Sequence, residues 1–322
     1  MSRSAADLVL ACAHSEARPV YAGDWVRITD FRCRAHPDEC GSELHATGHQ
    51  VVFTRAGLFA GCASHAGRQG VVVDPSRALL LRPGESLHVS HPAPGGHAST
   101  VLAFDCGVAD AAVASVGGGA APARGAGFPP TTAAVPPAVL LRLHRVRRAV
   151  GDAPAAGRPC ETSATPASVA LAVEEESLLL LHDVVASAVA SPSRGLRGGG
   201  AARRHRALAE AAKERLAAAP GAAHRLEELA AALDVSPFHL AHVFRAHAGV
   251  PMHQYLLQLR MATAVARIWD GEASLTRLAL DLGFSSHSHF TAVFRRHFGA
   301  TPAAVRNAGT RSPRMGERRP PG

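Results

Sequence analysis

Between residues 20 and 106 the apolar positions come in short runs, such as "HQVVFTRAGLF" (49–59), "QGVVVD" (69–74) and "RALLLRPGESLHVSH" (77–91). Gly, Pro or Asp interrupts them every eight to twelve residues, a spacing that predicts the strands of a small sandwich or barrel. Residues 107–135 turn Ala-, Gly- and Pro-rich and predict a short helix followed by a loose loop. From 136 the period changes. "PPAVLLRLHRVRRAV" (136–150) opens with proline at a helix start, and 166–190 carries apolar residues at three-and-four spacing. The stretch 191–203 has the composition of a flexible linker, 204–306 predicts a compact set of helices, and 307–322 a disordered tail. The expected class is an α+β multidomain chain. It has a β-rich, barrel-like part (1–135), a helical accessory or dimerisation segment (136–190), a linker (191–203) and an all-α module (204–306).

The all-α module repeats itself. In "RLEELAAALDVSPFHLAHVFRAHAG" (225–249), Val243, Phe244, Arg245, His247 and Gly249 recur as Val293, Phe294, Arg295, His297 and Gly299. Upstream, Leu229-Ala230 matches Leu278-Ala279 and Val235 matches Phe284, so one residue is inserted at the turn. A repeat of this kind means one supersecondary unit used twice. In the first, Leu226, Leu229, Ala230 and Leu233 form an inward stripe. Ser236 then caps a second helix with Pro237 in its first turn, and that helix buries Leu240, Val243 and Phe244 and stops at Gly249. In the second, Leu278, Leu282 and Phe284 point inward, Ser285 or Ser286 caps, Phe290, Val293 and Phe294 are buried, and Gly299 ends the helix. This is a helix-turn-helix pattern written twice.

Charge sharpens the picture. Seventeen arginines balance seventeen carboxylates over residues 1–202, whereas seventeen cations face nine carboxylates over 203–322, so the whole net charge of +8 falls on the part from 203 onward, the repeated module together with the tail. A neutral part joined to a basic part points to a polyanion partner for the second alone. The residues "LALDLGFSSHSHFTAVFRRHFGATPAAVR" (278–306) and "LAAALDVSPFHLAHVFRAHAGVPMHQYLLQLRMATA" (229–264) closely resemble the DNA-binding domain of the AraC/XylS family of bacterial transcription regulators. More loosely, "RPGESLHVSHPAPGG" (82–96) is similar to the cupin-like sensor domains that often precede that module. The resemblance implies a cupin-like β barrel ahead of a double helix-turn-helix, and sequence-specific binding of double-stranded DNA. A small-molecule effector, RNA polymerase and a second copy of the chain are further candidate partners.

By the same resemblance, the side chains aimed at base edges are Phe238, Ala241 and His242 in the first unit and His287, Ser288 and Thr291 in the second. Where the family often carries an arginine that forks onto guanine, this chain has His242 and Ala292. Readout therefore leans on hydrogen bonds from Ser288, Thr291 and the histidines, and on thymine-methyl contacts from Phe238 or Ala292. Arg245, Arg295, Arg296 and Arg306 are assigned to phosphates, which position without specifying. The connecting segment, "PMHQYLLQLRMATAVARIWDG" (251–271), gives about 30 Å of helix, close to the roughly 34 Å between successive major grooves on one DNA face. Its core is expected at Leu256, Leu259, Ala262, Val265 and Ile268.

Other chemistry fits less well. His289 and His297 lie eight apart on one helix, too far to share a metal, and no Cys or carboxylate joins them. No Ser, Cys or acid in this unit has a fixed catalytic partner. In the β part, His45, His49, His65, His88, His91 and His97 lack the H-x-H with a following Glu of metal-binding cupins, so an apolar pocket for a small organic effector is preferred over metal. Neither a cofactor nor an enzymatic step is expected. The alternative is a cupin-type or methyl-accepting repair enzyme fused to a DNA tether, which would need a reactive cysteine amid basic neighbours. Cys12, Cys33, Cys40, Cys62, Cys106 and Cys160 form no CxxC pair and read as reduced thiols, with Cys62 and Cys106 left open on this point. "LVLACA" (8–13) reads as mature sequence, and the apolar run at 177–190 is broken by His182 and Asp183. The chain is expected to be cytoplasmic, with no membrane partner.

Overall fold

A computed structural model describes residues 9–10, 14–34, 42–63, 70–116, 131–151, 167–190 and 199–310. The strands are β1 (Val9–Leu10), β2 (Ser15–Ala22), β3 (Val26–Cys33), β4 (Ser42–His45), β5 (His49–Gly57), β6 (Phe59–Ala63), β7 (Val71–Val73), β8 (Arg77–Leu81), β9 (Ser86–Ser90) and β10 (His97–Phe104). Helix α1 (Cys106–Val116) follows, then strand β11 (Thr131–Ala134), α2 (Pro137–Ala149) and α3 (Ala167–Ala190). The C-terminal module contains α4 (Gly200–Ala218), α5 (Leu226–Ala231), α6 (Pro237–Ala248), α7 (Met252–Trp269), α8 (Leu275–Asp281), α9 (His287–Phe298) and α10 (Pro302–Thr310).

The expected barrel is corrected to two open sheets. One runs β1-β4-β9-β6-β7 and the other β11-β8-β5-β10-β3-β2, and no strand pairing among the described residues joins their edges. What unites them is a face-to-face apolar layer. Leu44, Phe59, Val73 and Val89 of the first sheet pack on Phe31, Val52, Leu79, Leu81 and Val101 of the second. Alternation explains why the second sheet has two cores. Val51, Phe53, Leu80 and Leu102 point away from the first sheet onto α2 and α3, where Val139, Leu143, Leu180 and Val184 cover them. The sheet is thus buried on both faces, and its long β5 is buried at every position from His49 to Thr54.

Three segments depart from the expected bounds. Strand β11 pairs with β8 through Thr131↔Leu80 to Ala134↔Arg77, inside the stretch expected to be a loop. "TTAA" has neither alternation nor bulk, so only its partner reveals it as a strand. Helix α4 starts at Gly200, within the expected linker, and α10 runs to Thr310, past the expected tail boundary. Residues 117–130, 191–198 and 311–322, on which the remaining loop, linker and tail readings fall, lie outside the described residues. Among the described residues no helix is long and apolar enough to cross a membrane.

Candidate nucleic-acid interface

The two helix-turn-helix units are built as duplicates. Ser236 Oγ accepts from the His239 amide at 3.2 Å, and Ser286 Oγ from the His289 amide at 3.1 Å, so each second helix has a side-chain N-cap. Of the two serines left open by the sequence, Ser286 is therefore the cap. Ser285 instead pairs its Oγ with His289 Nδ1 at 3.2 Å. Each second helix closes on a left-handed glycine, Gly249 at φ 79° and Gly299 at φ 73°. Inside the units, Leu229, Ala230, Leu240 and Phe244 are buried in the first, and Leu278, Ala279, Phe284, Phe290 and Phe294 in the second.

The turns between helices reach the same geometry by different residues. Asp234 holds φ 54°, while its counterpart Gly283 holds φ 75°. A Cβ at Gly283 would lie 2.5 Å from the Gly221 carbonyl oxygen, so the second turn admits only glycine without backbone movement.

Phe238, His242, His287, Ser288 and Ala292 are exposed; Ala241 and Thr291 are half-buried. Phe238 is 82% exposed at the start of α6, with its ring nearly parallel to His242 at 6.4 Å. Thr291 differs from the expectation: its hydroxyl oxygen is closed off from solvent and lacks a hydrogen-bond partner among the described residues, so its methyl group is what it can offer. Arg245, Arg295 and Arg296 are exposed beside these side chains, whereas Arg306 is half-buried and donates to the Ala273 carbonyl at 3.0 Å. His239 and His289, fifty apart in the first turns of α6 and α9, were not among the expected contacts; His289 is exposed and His239 half-buried. The repeat itself was the signal for them. Among the described residues, no group of three His, Cys, Asp or Glu side chains could hold a metal ion.

Helix α7, with 18 residues, spans about 27 Å between the units. A family model described as a helix-turn-helix domain matches residues 229–308, the span of both units. The chain is 31% identical over 86 residues to "Probable transcription factor PqrA" of Proteus vulgaris, covering 27% of this chain and 70% of that one. The chain belongs to the AraC/XylS family of DNA-binding transcription regulators. It is 32% identical to the regulatory protein PocR of Salmonella typhimurium over 26% of this chain and only 27% of that protein, so this likeness to a regulator is confined to a short segment. A solved AraC-type transcriptional regulator from Chromobacterium violaceum is 26% identical over 32% of this chain and 92% of that one. Its TM-score of 0.31 is too low to bear on the fold.

Proposed function

We propose that this AraC/XylS regulator is a cytoplasmic, non-enzymatic, sequence-specific switch. Each helix-turn-helix unit reads one short box in one of two adjacent major grooves, and the sandwich domain senses a small molecule. The observation that carries the reading is the duplicated unit with Phe238 and His242 on α6 and His287 and Ser288 on α9 left open; these, with the half-buried Ala241 and Thr291, approach base edges. Arg245, Arg295, Arg296 and Arg306 hold phosphates on either side. The length of α7 suits the step from one groove to the next.

The sensing part is read as cupin-like in role, with its effector held between the sheets. Thr54 and Ser99 are register partners on the inner face, two residues along from Val52 and Val101 of the inter-sheet core. Their hydroxyls, and both polar atoms of buried Gln50, have no hydrogen-bond partner among the described residues. Buried polar atoms of this kind call for a small polar guest or water. Helices α2 and α3 cover the outer face of the sheet, and the exposed Leu171, Leu178 and Val189 of α3 are a candidate contact with a second copy. RNA polymerase is the expected downstream partner.

Selection of the full chain on randomised DNA tests the reading. It should yield two dissimilar boxes about 10–10.5 bp apart, centre to centre, and insertion of 5 bp between them should abolish joint recognition by placing one box on the opposite face. A single continuous box would mean that one unit alone reads DNA.

A further inference from the structure

Helix α7 is buried on more than the side that its own units require. Met261, Val265 and Ile268 belong to the core of the second unit, and Tyr255 to that of the first. Yet Ala262 packs into the core beneath the large sheet, and Leu259 meets Leu58 and Val72 of the sandwich. The sandwich therefore touches the connector directly.

Polar contacts fix the connector near both of its ends. Near its start, the Tyr255 hydroxyl donates to Asp74 Oδ2 while Asp74 Oδ1 accepts from the Ser76 amide at 2.7 Å and its hydroxyl at 2.6 Å. Tyr255 is 1% exposed and Asp74 0%. Burial first, then the Asp74 carboxylate, push the tyrosine hydroxyl well above its ordinary range, so it remains a donor. The same ring meets Phe244 of α6 edge-on at 5.4 Å, which ties the fixed point to the first reading helix. Beside it, Glu210 of α4 accepts the Val72 amide at 2.8 Å and Lys213 at 2.6 Å, both pairs buried.

At the other end Asp270, the C-cap of α7, sits 3.9 Å from Arg55 of β5 and 3.7 Å from Arg147 of α2. Both arginines also face Asp30 of β3, at 3.6 and 3.4 Å. The preceding Trp269 stacks on buried His144 of α2 at 5.6 Å with 4° between the planes. Fifteen residues, about 22 Å of helix, separate the two fixed points.

We infer that Tyr255 and Asp270 are positioning residues for DNA reading: through them the sandwich clamps both ends of α7 and sets the separation at which the two recognition helices meet DNA. Without the clamp each unit is tied to α7 only by its own core and by the short turns at 249–251 and 271–274, and can hinge there. With it, both units are referred to one rigid sheet. A guest between the sheets that moved β5 or the β7–β8 turn would move a fixed point, so box spacing is what the sandwich controls. The inference rests on the two-box reading above.

The test uses the full chain and the selected two-box DNA, with box separation varied by one and two base pairs in each direction, and DNA carrying either box alone. Tyr255→Phe and Asp270→Asn should leave single-box affinity as in the parent while discrimination between the best and neighbouring separations falls about fivefold or more, the size of an ordinary site-to-site coupling. Tyr255→Phe keeps the ring in its core; should it fail to fold, Asp74→Ala removes the acceptor from the sandwich side. Asp270 lies at a half-exposed helix end, where the substitution spares the core. Folded variants that discriminate spacing as sharply as the parent would overturn the inference and leave two-box reading intact. A parent chain that selects no paired boxes would sink the two-box reading itself.

Discussion

At the scale of single residues, the reading helices differ where they are most open. Phe238 and His242 present an aromatic face and an imidazole; His287 and Ser288 present an imidazole and a hydroxyl, with the methyl of Ala292 beside them. Substituting His242 should relax base preference in the first box only, and Ser288 in the second only, each by about 1–3 kcal/mol where the contact is a good one. Selection repeated with each variant checks this, and a change in the same bases by both would refute the division of labour. The closed-off hydroxyl of Thr291 adds a finer expectation: Thr291→Val should cost the second box little, since the methyl group is retained.

A different residue-scale consequence lies in the sandwich. His97 is 6% exposed, shares a 2.8 Å hydrogen bond with His91, and packs against Phe31 and Phe59. Burial, followed by the neighbouring His91, lowers its pKa to about 3. In the unfolded chain the ring titrates near 6.5. Below that pH the unfolded state takes up a proton that the folded state refuses, so this contribution is complete at neutral pH. It is lost at about 1.4 kcal/mol per pH unit as acid is added down to about pH 3. Thermal melts should therefore fall between pH 7 and pH 5. A flat profile would show that the ring is not held neutral.

At the scale of elements, the helix-turn-helix units were legible because several local signals agreed. The apolar period, the serine caps, the terminal glycines and the fifty-residue offset all pointed to one unit, and the structure forms it twice. What was illegible depended on partners distant in the chain. "TTAA" became a strand only through β8, and Gly200 joined a helix despite three glycines in a row. The open sheets were read as a barrel because strand spacing is the same in both architectures; only edge pairing separates them. The repeat also hides an asymmetry, since Asp234 tolerates a left-handed turn that Gly283 alone can make in its own crowded place. Gly283→Ala should destabilise the second unit by about 1–3 kcal/mol from backbone strain and the clash with the Gly221 carbonyl. Asp234→Ala should cost clearly less, as a Cβ is already housed there. Denaturant melts of the two variants give the comparison, and equal losses would contradict it.

At the scale of the whole molecule, the charge split followed the domain split, and that much could be read from composition. The position of the sandwich could not. Asp74, Tyr255 and Asp270 carry no motif, and although the expected core of α7 included Leu259 and Ala262, nothing in the sequence said that these two meet the sandwich while Val265 and Ile268 meet the second unit. With the excess cations confined to residues 203–322, DNA affinity should fall steeply with salt. Replacing Arg295 and Arg296 by alanine should weaken binding to all sequences alike and reduce the slope of log affinity against log salt by up to about two, one for each phosphate no longer neutralised. An altered sequence preference with an unchanged slope would place these arginines on bases instead.

Because α7 gives one flank to its own units and another to the sandwich, the C-terminal module is not a free cassette. Residues 200–310 transplanted behind a foreign β domain would carry Leu259 and Ala262 without their cover and a Tyr255 hydroxyl without its acceptor. The new host would have to supply an apolar seat, a carboxylate at one end and a pair of guanidiniums at the other. Chimaeras joined anywhere before Gly200 would need these sandwich residues to travel with the helix, so the unit of exchange is the helix together with the patch of sheet that receives it.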